Sequence, residues 1–140
     1  MDISIINGPN LNLIGIRETS IYGDQSMDEM YGDLVERFPD INLQYYQSNH
    51  EGALIDKLHE IGFSSDGIIL NAGGYTHTSI ALADAVKAIS TPVIELHISD
   101  IYVRENYRHH SYLKEACIHH IIGKGVGGYE EAVKFFVNKK

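Results

Sequence analysis

Five short apolar runs rich in β-branched residues, at residues 3–7, 41–47, 67–71, 93–98 and 118–122, constrain this chain more than any other feature. Near-continuous apolar runs of this length suit strands buried on both faces. Helical patterns separate them. Ser26, with Glu29 three residues on, reads as a capping box opening a helix to about Phe38, where Pro39 stops it. Asn49 or His50 opens a second helix over 51–61 with Gly62 as its C-cap. Residues 78–89 give a third, alanine-rich helix before Pro92, and the last runs from about Tyr129 to Val137. Strands alternating with helices predict a parallel sheet covered on both faces. The expected fold is therefore α/β: a flavodoxin-like, five-stranded parallel sheet joined by four right-handed crossovers. At 140 residues, 1–140 reads as one catalytic-sized domain.

Charge and cysteine usage narrow the function classes. The formal net charge is −8 and no basic stripe precedes the terminal Lys139 and Lys140, so no nucleic-acid partner is expected. Cys117 is the single cysteine, which excludes an intrachain disulfide and a cysteine-rich zinc site. A strand pattern begins within two residues of Met1, and no apolar run approaches the roughly 18 residues of a membrane span. No signal peptide and no membrane partner are expected, and the natural compartment is the cytoplasm.

Two irregular segments, 8–25 and 100–115, are long for a compact domain, and loops of that length are usually functional. The first carries Arg17 and Tyr22 between Gly15 and Gly23. A free phenol is a poor base near neutrality, but a guanidinium held beside it favours the phenolate. Ligands of parallel α/β sheets bind outside the carboxyl ends of the strands. Those ends deliver Asn7 and Asn10, Ser48 and Asn49, Asn71 through His77, and Glu95, His97 and Ser99. Glu95 and His97 lie two apart in a strand, so they share a face, and a carboxylate paired with an imidazole makes a usable general acid. His77 follows two glycines at the expected start of a helix, where polar ligands are favoured. Arg104 and Arg108 would share a face if the second long segment were helical there.

The same residues have plainer uses. Asparagines at strand ends commonly serve as turn or cap residues. Tyr22 could pack its ring, His77 could be a simple cap, and the arginines could be solvated surface charges. Three features are discounted. The run 123–128, GKGVGG, matches a dinucleotide fingerprint, but no further strand or suitably spaced acid follows, so it reads as a tight turn. The pairs His109–His110 and His119–His120 lack metal-ligand spacing, and neighbours in a strand point oppositely. Cys117 has no base beside it in sequence and reads as a small hydrophobe.

Four separated segments, in order, carry a resemblance: INGPNLNLIGIRETSIYG at 6–23, QSNHEG at 47–52, NAGGYTHTSIALADA at 71–85 and PVIELHISDIYVRENYRHHSY at 92–112. Together they resemble the type II 3-dehydroquinate dehydratases. The resemblance implies a flavodoxin-like fold, a homo-dodecamer built as four trimers, and reversible trans-dehydration of 3-dehydroquinate to 3-dehydroshikimate. It implies no metal, no Schiff base and no organic cofactor. Tyr22 matches the family's base and Arg17 the residue that eases its ionisation, while Asn10 is associated with stabilising the enolate. His97, supported by Glu95, matches the acid that protonates the departing hydroxyl. Asn71, Ile98 and Ser99 match the carboxylate-binding group, and His77 and Arg108 the residues that bind ring hydroxyls. Asp84 matches an acid that reaches into a neighbouring subunit's site.

The sequence departs from the family pattern at two positions near the loops. Thr19 stands where a proline is common, which would leave the Arg17–Tyr22 loop less stiff. Asp100 stands where an asparagine is usual, and an extra negative charge there would weaken binding of an anion unless a cation compensates. A flavin- or nucleotide-binding module, with Tyr22 stacked on the ligand, is the competing reading. A catalytically inactive scaffold is a third.

Overall fold

The computed structural model, which describes residues 1–139, contains one five-stranded sheet in the order β2-β1-β3-β4-β5 with every neighbouring pair parallel. The strands are β1 (Asp2–Asn7), β2 (Asn42–Gln47), β3 (Gly67–Asn71), β4 (Val93–His97) and β5 (His119–Ile122). β3 and β4 are buried at every position, as central strands covered on both faces require, and this burial includes Glu95 and His97. The flavodoxin-like expectation is met, with strand ends within one residue of those read from sequence.

Helices α2 (Met27–Arg37) and α5 (Gly127–Lys139) cover one face, packing Met30, Leu34, Val133 and Phe136 onto Ile3, Ile5, Ile69 and Ile94. Helices α3 (Glu51–Ile61) and α4 (Ile80–Ala88) cover the other, with Leu54, Leu58, Leu82 and Val86 against Ile6, Ile68 and Leu70. A short helix, α1 (Thr19–Tyr22), lies within the first long loop. The Ser26 side chain accepts from the Glu29 amide at 3.1 Å, as the capping box predicts.

Gly62 is the C-cap of α3 as expected, with φ −69°; a Cβ there would lie 2.3 Å from Ile89 Cγ2, so close packing explains the glycine. Several local expectations are corrected. His77 ends a 3-10 turn, Gly73–His77, and does not open α4. Ser79 sets that start instead, its hydroxyl accepting from the Leu82 amide at 2.9 Å. The segment of Arg104 and Arg108 is not one helix: two 3-10 turns, Ile101–Val103 and Asn106–Arg108, are separated at Arg104, whose backbone is extended. In the glycine-rich run, Gly123 and Gly125 turn the chain, while Gly127 and Gly128 already belong to α5.

β1 lies between β2 and β3, so the chain leaves it in opposite directions on its two sides, which creates a crevice at the strand ends. Gly8 lets these ends close up. Its amide donates to the Asn71 carbonyl at 2.7 Å, and a Cβ there would lie 2.4 Å from the Ala72 carbonyl oxygen.

Candidate active site

The crevice opens into a cleft of about 120 Å³ outside the carboxyl ends of β1, β3 and β4. Of the residues singled out from sequence, Asn10, Arg17, Tyr22, Asn71, His77, His97, Ile98, Ser99, Arg104 and Arg108 line it. Glu95 stands behind His97. Asp84 is not brought there: it sits exposed on α4, outside the cleft of its own chain. The ends of β1 and β2 also contribute less than expected, since Asn7 is fully buried in the sheet and Ser48 accepts from the His50 amide.

One side of the cleft rests on a strand. His97 Nε2 lies 2.8 Å from Glu95 Oε2, both side chains being almost wholly buried. Glu95 also accepts from Ser111 Oγ at Oε2 and from His120 Nδ1 at Oε1, the latter at 3.0 Å. Burial alone would raise the Glu95 carboxyl, but the hydrogen bond and charge of His97, with Ser111 and His120, outweigh it and hold the group below the ordinary carboxylate range. An ionised Glu95 only accepts, so His97 Nε2 carries a hydrogen and Nδ1 is the nitrogen left for chemistry.

His77 stacks 6.2 Å from His97, centroid to centroid. Its Nδ1 is 2.8 Å from the His110 carbonyl, which only accepts, so Nδ1 is the donor. Burial, reinforced by the neighbouring His97 and Arg108, lowers its pKa despite that bond. A neutral His77 then presents Nε2 as an acceptor for a hydroxyl.

The opposite side is carried by the first loop. Tyr22, 9% exposed, ends α1, with Glu18 (φ 38°) and Gly23 (φ 85°) both left-handed around it. The arginine nearest its oxygen is not the one expected. Arg104 Nη1 donates to Tyr22 Oη at 2.8 Å and to Ser99 Oγ at 3.3 Å. Arg17 instead lies over the phenol ring, its Cζ 4.6 Å from the centroid, and donates to Glu18 at 2.6 Å. Two guanidinium groups thus flank one phenol. Tyr22 and Arg104 are 82 residues apart, and nothing local in the sequence announces the pair.

The floor is set by a buried polar chain. Tyr129 Oη donates to Asn7 Oδ1 at 2.8 Å and accepts from Asn71 Nδ2 at 3.1 Å, while Asn71 Oδ1 accepts from the Gly73 amide at 3.2 Å. Asn71 is fixed in orientation, with its second amide hydrogen still available to a ligand. Full burial raises the Tyr129 pKa well above that of a free phenol, so this hydroxyl is a neutral structural donor. Asn10 adopts a left-handed backbone (φ 68°), which asparagine tolerates, and its amide donates to Asn49 Oδ1 at 3.0 Å.

The features discounted from sequence are placed as follows. Among the described residues no group of three or more His, Cys, Asp or Glu is disposed to hold a metal. Cys117 packs against the second core, and burial together with the charge of Glu95 pushes its thiol up to about 12. His119 and His120 do point oppositely: His119 stacks on Phe135 at 4.3 Å, whereas His120 reaches Glu95. Asp100 does not aim its charge at the cleft as feared; its carboxylate accepts from the Tyr102 amide at 3.0 Å and caps a 3-10 turn.

Known proteins similar to this chain share one family description. The family described as Dehydroquinase class II matches residues 1–137. A 3-dehydroquinate dehydratase of an Exiguobacterium species is 52% identical over 134 residues, covering 95% of this chain and 92% of that protein. 3-Dehydroquinate dehydratase 1 of Agrobacterium fabrum is 47% identical over 138 residues, covering 97% and 95%. The crystal structure of type II dehydroquinase from Butyrivibrio crossotus superposes with a TM-score of 0.94 at 43% identity, covering 98% of this chain and 97% of that one. A sheet in the order β2-β1-β3-β4-β5, a cleft at its switch point and relatives matched over nearly their whole length place this chain in the class II dehydroquinase family.

Proposed function

We propose that the chain is a 3-dehydroquinate dehydratase, a hydro-lyase that reversibly eliminates water from 3-dehydroquinate to give 3-dehydroshikimate, in the shikimate pathway to chorismate. The observation that carries the reading is a phenol flanked by two guanidinium groups and a carboxylate-backed imidazole in the lining of one cleft. Tyr22, as phenolate, takes a proton from the carbon beside the ketone, and the C–H electrons move into an enolate. Arg17 and Arg104 supply the positive field that favours the phenolate. Asn10, at the cleft edge, is assigned to the developing enolate oxygen, where a fixed dipole lowers the barrier. Collapse of the enolate expels the hydroxyl, which takes the Nδ1 proton of His97 and leaves as water. Glu95 balances the charged imidazolium before that transfer. Tyr22 then returns its proton to solvent and His97 regains one, restoring the starting state. The sequence of steps calls for no metal, imine or organic cofactor.

Substrate binding follows from the remaining groups. Asn71, with Ile98 and Ser99 at the end of β4, is assigned to the carboxylate, and His77 and Arg108 to the ring hydroxyls. Asp84, exposed outside its own cleft, is assigned to the site of a neighbouring subunit in a homo-dodecamer of four trimers. The compartment proposed is the cytoplasm; among the described residues no helix is long and apolar enough to cross a membrane. The test is to mix the chelator-treated protein with 3-dehydroquinate and follow the enone absorbance of the product, before and after borohydride treatment. Product formation insensitive to both treatments is expected. Inactivation by borohydride would replace the tyrosine mechanism with a lysine imine.

A further inference from the structure

Glu95 is 1% exposed and must have its acceptor sites filled. Oε2 serves both His97 Nε2 and Ser111 Oγ, whereas among the described residues Oε1 has one hydrogen-bond partner, His120 Nδ1 at 3.0 Å. Register explains the contact. β4 and β5 run parallel with Glu95 directly opposite His120 and Leu96 opposite Ile121, so the two polar side chains leave the sheet on the same face. The His120 side chain is 29% exposed, so it joins a buried carboxylate to the surface.

We propose that His120 is a positioning residue for the acid half of the site: by filling Oε1 of Glu95 it fixes the carboxylate plane in which Oε2 meets His97 Nε2–H. Ser111 cannot substitute, because it donates to the other oxygen. Without His120, one oxygen of a buried carboxylate is left without a donor, and the carboxylate must turn or take up a proton to satisfy it. Either change withdraws support from His97 while leaving the substrate-facing side chains in place. The consequence falls on the proton-transfer step and not on binding.

The catalytic arm of the test rests on the dehydratase reading; the spectroscopic arm does not. His120→Val removes the donor with a residue suited to a strand, and His120→Asn returns an amide N–H near the Nδ1 position. His120→Val is expected to lower kcat about tenfold while KM stays within about twofold, and His120→Asn to recover most of the loss. In histidine-labelled protein, the His97 Nε2–H resonance should move or broaden in His120→Val and return in His120→Asn. Unchanged kcat and resonance in His120→Val would overturn the proposal. So would equal losses in both variants, which would mark a purely structural histidine. Should His120→Val fail to fold, His120→Gln, whose amide falls at the Nε2 position, takes its place; activity equal to that of His120→Asn would then overturn the proposal. If the wild-type protein does not turn over 3-dehydroquinate, the dehydratase reading fails, and the resonance still decides whether His120 holds Glu95 against His97.

Discussion

The two sides of the cleft are built differently. His97 stands at the end of β4, a strand buried at every position, and its partner Glu95 is two residues back on the same strand. Tyr22 ends a four-residue helix in a loop bounded by Gly15 (φ 92°) and Gly23 (φ 85°), and its hydroxyl is held from the far side of the chain by Arg104. The acid is therefore oriented by a strand, whereas the base is carried by a loop: its ring packs into the core and its hydroxyl is oriented by a second loop. This division separates stability from chemistry. Damage on the strand side should register in both, and damage on the loop side mainly in rate, since loop segments can reopen without disturbing a core.

The largest effect expected on the loop side is from Tyr22→Phe. Turnover should fall by about 10²- to 10⁴-fold, the span typical of a lost general base, with the urea midpoint close to wild type. The Tyr22 ring packs into the core with Leu11 and Ile14, and phenylalanine keeps that packing; a matching loss of stability would show that the hydroxyl contact to Arg104 supports the core and would erase the distinction. On the strand side, Glu95→Ala should lower turnover and also reduce the unfolding free energy by about 1–3 kcal/mol, because buried donors lose their acceptor. Urea unfolding of this variant measures it, and an unchanged midpoint would mean that the buried network adds no stability.

Acid sensitivity sharpens the same contrast. Glu95 is held below its ordinary value of 4.5, so the stability it contributes is present above that value and is lost as pH falls through its folded pKa. Thermal unfolding followed from pH 6 downward should show a decline that Glu95→Gln flattens; parallel curves would remove Glu95 as the source. On the loop side, Arg17→Ala and Arg104→Ala should each lower turnover by about 10- to 100-fold, since each removes a cation in contact with the phenol. The double variant should lose less than the product of the two, because both act through Tyr22. Full additivity in pH–rate measurements would separate them. The smallest effect is expected at Asp100: Asp100→Asn keeps an acceptor for the Tyr102 amide and should change stability by less than about 0.5 kcal/mol, with KM nearly unchanged.

The strand side was also the more legible one. Apolar runs marked β1, β3 and β4 because burial on both faces demands them, whereas the edge strands β2 and β5 stay half-exposed; period-two spacing alone paired Glu95 with His97. The capping of α2 was readable because Ser26 and Glu29 are local to one another. What sequence could not reach were contacts made across the chain. Arg104 was one of two arginines with no partner in view, and Arg17, five residues from Tyr22, looked like the closer cation; the fold gives Arg104 the hydroxyl and Arg17 the ring. In sequence His120 stands only beside His119 without metal-ligand spacing; its use depends on the β4–β5 register, which no local pattern specifies. The 3-10 turns were missed for a different reason: a three-residue turn is too short for periodicity to show. A flavin-binding reading of Tyr22 loses its basis, since both arginines crowd the phenol that would have stacked on the ligand.

The central claim is that a loop-borne tyrosine makes the enolate and a strand-borne histidine completes the elimination. Proton exchange in deuterated water separates these steps directly, with 3-dehydroquinate followed by NMR at the carbon beside the ketone. His97→Ala should keep enzyme-dependent exchange at that carbon while elimination is lost, and Tyr22→Phe should lose both. Exchange retained in Tyr22→Phe but abolished in His97→Ala would contradict the assignment of base and acid.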